Sequence, residues 1–286
     1  LEGEVDLAYR TLSPPDVAAL RAEADQGVSV VADAGSEIRF LAFNLELQAG
    51  KDEGQRLAVR RAAAYLIDRQ AISKDVYDGT VEPLFSMVPR GVEFATEAFA
   101  EEYGRAPDPE AARRELEEAG LEPPVELDLW WSTSQFGPAT GEEFAELERQ
   151  LEAEELFAVD LHAEEGERFE RDALADDYPE FGFGWFPHFP DADNFTAPFY
   201  ARTTFLDNHF SNERLDGLLA EQRSTTEQSE RAETLEEIQR IGAELAPTIP
   251  LWQAKQVAGV GEGVSGVEET FDPSYQLRYW LLDKGG

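Results

Sequence analysis

Cysteine is absent from the 286 residues, which excludes disulfide cross-links, a thiol nucleophile and thiolate metal sites. The absence leaves the compartment open, because chains in oxidising and reducing surroundings alike can do without it. Positive charge is scarce: 24 Lys and Arg stand against 60 Asp and Glu, for a formal net charge of −36. Such a surface repels phosphate, which argues against nucleic acid and anionic membrane as partners. The plain meaning of the excess is a heavily solvated surface, of the kind a salt-rich habitat favours. Histidine occurs only three times. No apolar run approaches the roughly 20 residues needed to span a bilayer, and no leader peptide opens the chain. It begins at 1-LEGEVDLAYR-10, which reads as the middle of a strand. The expectation is an abrupt mature start or a piece of a longer polypeptide.

What is present alternates between two periods. Val5, Leu7 and Tyr9 share a strand face, and Ser13 before Pro14 marks a helix start. Two further strand segments, 28-VSVVAD-33 and 38-IRFLAFNL-45, follow. Val59, Ala63 and Leu66 then give 56–69 a helical stripe, with Arg60 and Arg61 expected outside. Asp108, Pro109 and Gly120 bound a second helix. In 125-VELDLWWS-132 the alternation is clean, which puts Trp131 with the core face and Trp130 on the polar face. Helix 141–154, strand 156–161 and helix 166–175 continue the pattern. After 212–222, a longer helix is expected from a Thr225–Gln228 capping box to Pro247. Strand 249-IPLW-252, the run 256-QVAGV-260 and an aromatic segment, 275-YQLRYWLL-282, close the chain. The pattern predicts an α/β fold: a mixed sheet with helices on both faces.

The chemistry-bearing stretch is 181-FGFGWFPHFPDADNFTAPFY-200. Phe181, Phe183 and Trp185 share one strand face, while Gly182 and Gly184 leave room on the other. Pro187 and Pro190 break the ladder, so Phe186 to Asn194 forms a loop at the carboxyl end of a strand, where α/β sheets bind ligands. Trp185, Phe186, His188 and Phe189 suit a small-molecule pocket of aromatic walls with few polar groups. Trp130 is a further rim or ligand-facing candidate, and Asp191 and Asn194 are candidates more suited, like Asp193, to turn and cap duty. The aromatic residues could equally be plain core. His188 with Asp191 or Asp193, plus His162 or His209, could ligate a metal, but the spacing is irregular and no metal site or cofactor is assigned. No GxSxG elbow, Walker loop or HExxH helix occurs, and carboxylates are too abundant for a hydrolase pair to stand out.

The order of segments resembles the C-terminal part of the extracytoplasmic solute-binding proteins of ABC importers, in the oligopeptide, dipeptide and nickel family (family 5). The stretches 43-FNL-45 with 59-VRRAAAYLIDRQAI-72, 109-PEAARRELEEAG-120, 185-WFPHFPDADNFTAPF-199 and 231-RAETLEEIQRIGAELAPTIPLW-252 carry the likeness. The resemblance implies a two-lobed periplasmic-binding-protein-like fold of which this chain holds one lobe and part of the other. Residues 1–45 would be partial lobe one with a hinge strand, 46–252 the second lobe, and 253–286 the return to lobe one. Hinge strands would cross near Phe43–Asn44 and Leu251–Trp252. It implies non-catalytic capture of a peptide-like solute between lobes and delivery to permease subunits by a monomer. That protein would be periplasmic or lipid-anchored on the outer face of the membrane. Peptide-binding members pair an aspartate of the Trp-containing loop with the peptide's α-amino group; the matching position here is His188. That departure keeps an oligosaccharide or a nickel chelate open as ligand. The alternatives of other classes are a carboxylate-based hydrolase and a binding protein that no longer serves transport.

Overall fold

The apolar runs at 28–33 and 38–45 fold as one strand, because Ser29 to Phe43 stays extended through the polar residues between them. In the computed structural model, which describes residues 5–9, 12–271 and 277–285, this is β2. The order is β1 (Leu7–Tyr9), α1 (Pro14–Ala22), β2 (Ser29–Phe43), α2 (Glu53–Leu66), α3 (Arg69–Ala71), β3 (Val81–Pro83), α4 (Ala98–Tyr103) and α5 (Pro109–Glu118). Then come β4 (Val125–Ser132), α6 (Thr140–Leu151), β5 (Phe157–Glu164), α7 (Gly166–Ala173), β6 (Glu180–Trp185) and α8 (Asp193–Tyr200). Finally α9 (Glu213–Ser224), α10 (Gln228–Leu245), β7 (Thr248–Val260), β8 (Val264–Ser265) and β9 (Asp283–Lys284) complete the described chain. Among the described residues no helix is long and apolar enough to cross a membrane.

The main sheet runs β1-β7-β2-β6-β4-β5, with β3 also paired to β7. Pairs β4–β5 and β4–β6 are parallel and the others antiparallel, so the sheet is mixed. The side-chain room left by Gly182 is filled from one face: a Cβ there would lie 2.1 Å from Phe144 Cζ of α6. On the other face Phe169 of α7 packs against Phe181 and Phe183. The α/β class with helices on both faces is therefore the observed one.

Strands β2 and β7 pair over nearly their full lengths, with register shifts between Ala34 and Ile38 and between Arg39 and Phe40. On one side of the first shift, Ala258, Val260 and Val267 form a small core with Leu7, Tyr9 and Val31. On the other, Ile38 to Phe43 and Ile249 to Trp252 join the large core.

Local signals at helix ends hold where the side chain can reach its amide. Ser13 and Asp16 form a reciprocal capping box, and Asp108 caps α5 through the Ala111 amide. Three expectations need correction. Arg60 is buried, not solvent-facing: its Nε donates to Leu245 O at 3.0 Å, with Arg61 Nε on Glu244 O at 2.9 Å. The last carbonyls of α10 lack intrahelical donors, and these two arginines supply them. Thr225 does not cap α10; its hydroxyl donates to Glu221 O and closes α9, while α10 starts at Gln228 without a side-chain cap. Val5 lies outside β1 and is exposed. Tyr275 and Gln276 of the terminal aromatic segment lie outside the described residues; Tyr279 to Leu281 form an exposed 3-10 turn.

Candidate ligand-binding site

Strand β6 delivers the aromatic loop. It pairs antiparallel with β2 from Glu180↔Phe43 to Trp185↔Ile38, and Pro187 then ends the ladder because it has no amide hydrogen to donate. The chain re-enters helix at Asp193, so the loop spans 186–192. Its direction is held by polar groups turned inward. The His188 amide donates to Asn194 Oδ1 at 2.8 Å. Asp191 takes a two-pronged contact from Arg231, Nη1 to Oδ2 at 3.0 Å and Nη2 to Oδ1 at 2.7 Å, the strong geometry of an arginine–carboxylate pair. Burial raises the Asp191 pKa, but the Arg231 hydrogen bonds and the Asp193 amide outweigh it and hold the group below its ordinary value. Asp193 is gripped in turn by Arg223 and Gln222. Asp191, Asp193 and Asn194 are thus spent on shaping the loop.

The rings point the other way. Trp185 packs edge-on to Phe199, Phe205 and His188, with centroids 5.4, 5.1 and 5.6 Å away. Phe186, Phe189 and Phe205 are 48, 46 and 41% exposed, an unusual cost for large apolar side chains that a bound apolar surface would offset. The indole Nε1 of Trp185 is buried without a hydrogen-bond partner. Trp130 does not join this group. It is sandwiched between Tyr178 and His162, at 4.2 and 4.4 Å, on β4 opposite Phe181, near the start of β6 and not at its carboxyl end. Among the histidines, His209 pairs with Asp176 at 2.9 Å and His162 with Asp128 at 3.0 Å, and neither contact involves His188.

Sequence reasoning missed the layer beneath Gly184. A Cβ at Gly184 would meet Arg39 Nη1 at 2.7 Å and Phe136 Cε1 at 3.0 Å. The Arg39 guanidinium is buried under the Phe136 ring, 3.7 Å from its centroid, and beside Trp252 at 5.0 Å. Glu143, also fully buried, lies 4.0 Å from Arg39 Nε. Its carboxylate accepts from Tyr77 Oη and Trp252 Nε1, both at 2.7 Å. Burial pushes the Glu143 pKa up, against the pull of Arg39 and these two donors. Phe136, Tyr77 and Trp252 also line a cavity of about 360 Å³ with Ser13, Glu37 and Lys255. The glycine pair was the available signal that something must fill the space, but no spacing rule names residues 39, 136 or 143.

The aromatic rim and the buried Arg39–Glu143 layer lie on opposite sides of β6, the rings on the side of Phe183 and the polar layer on the side of Gly184. A larger hollow of about 550 Å³ near Phe85, Arg90 and Arg105 offers less. Its arginines are already paired with Glu82 and Glu97.

Comparison with known proteins bears on this directly. The chain is 27% identical over 258 residues to heme-binding protein A of Haemophilus influenzae, covering 88% of this chain and 46% of that protein. It is 28% identical over 242 residues to the peptide transport periplasmic protein SapA of Salmonella typhimurium, covering 82% of this chain and 42% of that protein. The chain thus spans about half the length of the curated relatives it matches. The structure of HbpA2 from Haemophilus parasuis superposes with a TM-score of 0.84 at 20% identity, over 99% of this chain and 54% of that one, which establishes the shared fold. Residues 1–207 match the model of the bacterial extracellular solute-binding proteins, family 5 middle region, and the chain belongs to that family.

Proposed function

We propose that this chain is the cleft-forming part of an extracytoplasmic ABC-importer component. It captures a peptide-like solute between two lobes, presents it to permease subunits, acts as a monomer and breaks no bond. The observation that carries the reading is the rim of Phe186, Phe189 and Phe205, left exposed around half-buried Trp185 at the end of β6 while Asp191 and Asp193 are both taken by arginines. A relative described as a peptide transport protein supports the peptide class. The two separate hydrophobic clusters support a division into a small lobe-one portion and a second lobe, but with Ile38 to Leu45 on the second-lobe side, so that the boundary falls on β2 ahead of the expected residue 46. The register shift between Ala34 and Ile38 supports a crossing there, ahead of Phe43–Asn44. Capture would proceed by closure, with the closed state favoured only by contacts that both lobes make.

Calorimetric titration of the full-length protein with a peptide library tests the reading. Saturable binding, weakened about tenfold or more by Trp185→Ala and accompanied by no peptide cleavage, is the expected result. Absence of binding across peptides, or turnover, overturns it. One observation favours a second ligand class. With Asp191 and Asp193 committed to arginines and His188 on the exposed loop, no free carboxylate of this loop awaits an α-amino group. Oligosaccharides, which stack on aromatic rings without needing a charge, are therefore the second panel for the same titration. Nickel chelates are the third.

A further inference from the structure

A separate cluster lies at the outer edge of the sheet, away from the aromatic loop. Parallel pairing of β4 with β5 sets Asp128 opposite Asp160 and Trp130 opposite His162. Since side chains of residues two apart share a face, Asp128, Asp160 and His162 project together. One ligand atom from each lies within 4.8 Å of the others. His162 Nε2 stands 3.0 Å from Asp128 Oδ1 and 3.6 Å from Asp160 Oδ2. Donors around a tetrahedral zinc ion are about 3.4 Å apart, given bonds near 2.1 Å, so the set needs little adjustment to converge on one ion.

Two further observations separate this cluster from ordinary surface acidity. The imidazole is held rather than free: it stacks on Trp130 at 4.4 Å and 18°, and Trp130 is backed by Tyr178 at 4.2 Å. Asp128 and Asp160 also face each other directly across adjacent strands, which is destabilising for like charges. Among the described residues no lysine or arginine lies within ion-pair distance of either; His162 is their one partner of potential positive charge. A divalent cation would relieve that repulsion and pin edge strand β5 to β4.

We propose that Asp128, Asp160 and His162 form a binding site for a divalent first-row transition ion such as zinc. Water fills the remaining coordination positions, and the site is distinct from the solute cleft. The imidazole donor selects transition ions over magnesium and calcium, which prefer all-oxygen shells.

The test is calorimetric titration of the chain with zinc in millimolar magnesium, which occupies carboxylate-only sites, alongside thermal melts with and without zinc. One saturable zinc site is expected, with a higher melting temperature when it is filled. His162→Ala and Asp128→Asn should each weaken it at least tenfold and abolish the melting shift. Without zinc, circular dichroism of both variants should match the parent. His188→Ala and His209→Ala should leave zinc affinity unchanged. No saturable site in magnesium, or an affinity unchanged in either His162→Ala or Asp128→Asn, overturns the proposal.

Discussion

Glu180 sits at the head of β6, 3% exposed, with one carboxyl oxygen lacking a hydrogen-bond partner. Burial pushes its pKa up to about 8, only partly opposed by backbone amides of Ala49 and Asp128. The folded chain therefore keeps this proton between pH 4.5 and 8, where the unfolded chain has released it. Its stabilising effect is full below about pH 4.5 and is lost as pH rises towards 8. Glu180→Gln removes that dependence. In urea unfolding at pH 8 the variant should be more stable than the parent by on the order of a few kcal/mol, with the difference shrinking towards pH 4.5. The Glu143 carboxylate differs because both of its oxygens are satisfied. Tyr77→Phe strips one donor from it without leaving space, so a loss of about 1–3 kcal/mol in urea unfolding is expected. None of this was readable from the local sequence: Glu180 and Glu143 look like two of many acids, and their burial is set by elements far away in the chain.

At the scale of elements, period-2 and capping signals were legible because they are decided within a few residues. Strand β4 has the expected bounds, and Asp108 and Ser13 cap as their positions require. The Thr225 signal failed because α10 starts at Gln228, which leaves Thr225 two residues ahead of the N-cap, where it ends α9 instead. The two glycines of β6 illustrate the limit well. Their spacing announced a smooth face, while only packing showed that Phe144 and Arg39 occupy it. Gly182→Val drives a side chain into the Phe144 ring, so α6 must move off the sheet. A loss of about 1–3 kcal/mol in denaturant midpoint analysis is expected, with a smaller loss when Phe144→Ala accompanies it. A double variant no better than the single one would show that the strain lies elsewhere.

Across the whole molecule, charge outweighs local pairing. With 60 acids against 24 Lys and Arg, cations are too few to pair most carboxylates one to one, and several arginine pairs are exposed and individually weak. Salt weakens those pairs but also screens the much larger self-repulsion. The melting temperature should therefore rise by several degrees between 0.05 and 1 M sodium chloride; a flat or falling curve would mean that the pairs dominate. The same excess tells against nucleic acid as partner.

The sequence by itself determined the α/β alternation, the helix starts, the sign of the surface field and the order of segments that marks the family. Each of these depends on residues close together in the chain or on composition, which need no long-range contact to be read. Tertiary structure alone decided which polar groups are spent and which remain. It bound Asp191 to Arg231 across 40 positions, hid Arg39 beneath Phe136, and stacked Trp130 on His162 instead of at the aromatic rim. Burial and partner choice depend on how strands and helices meet, and strand pairing brings together residues that no local period connects.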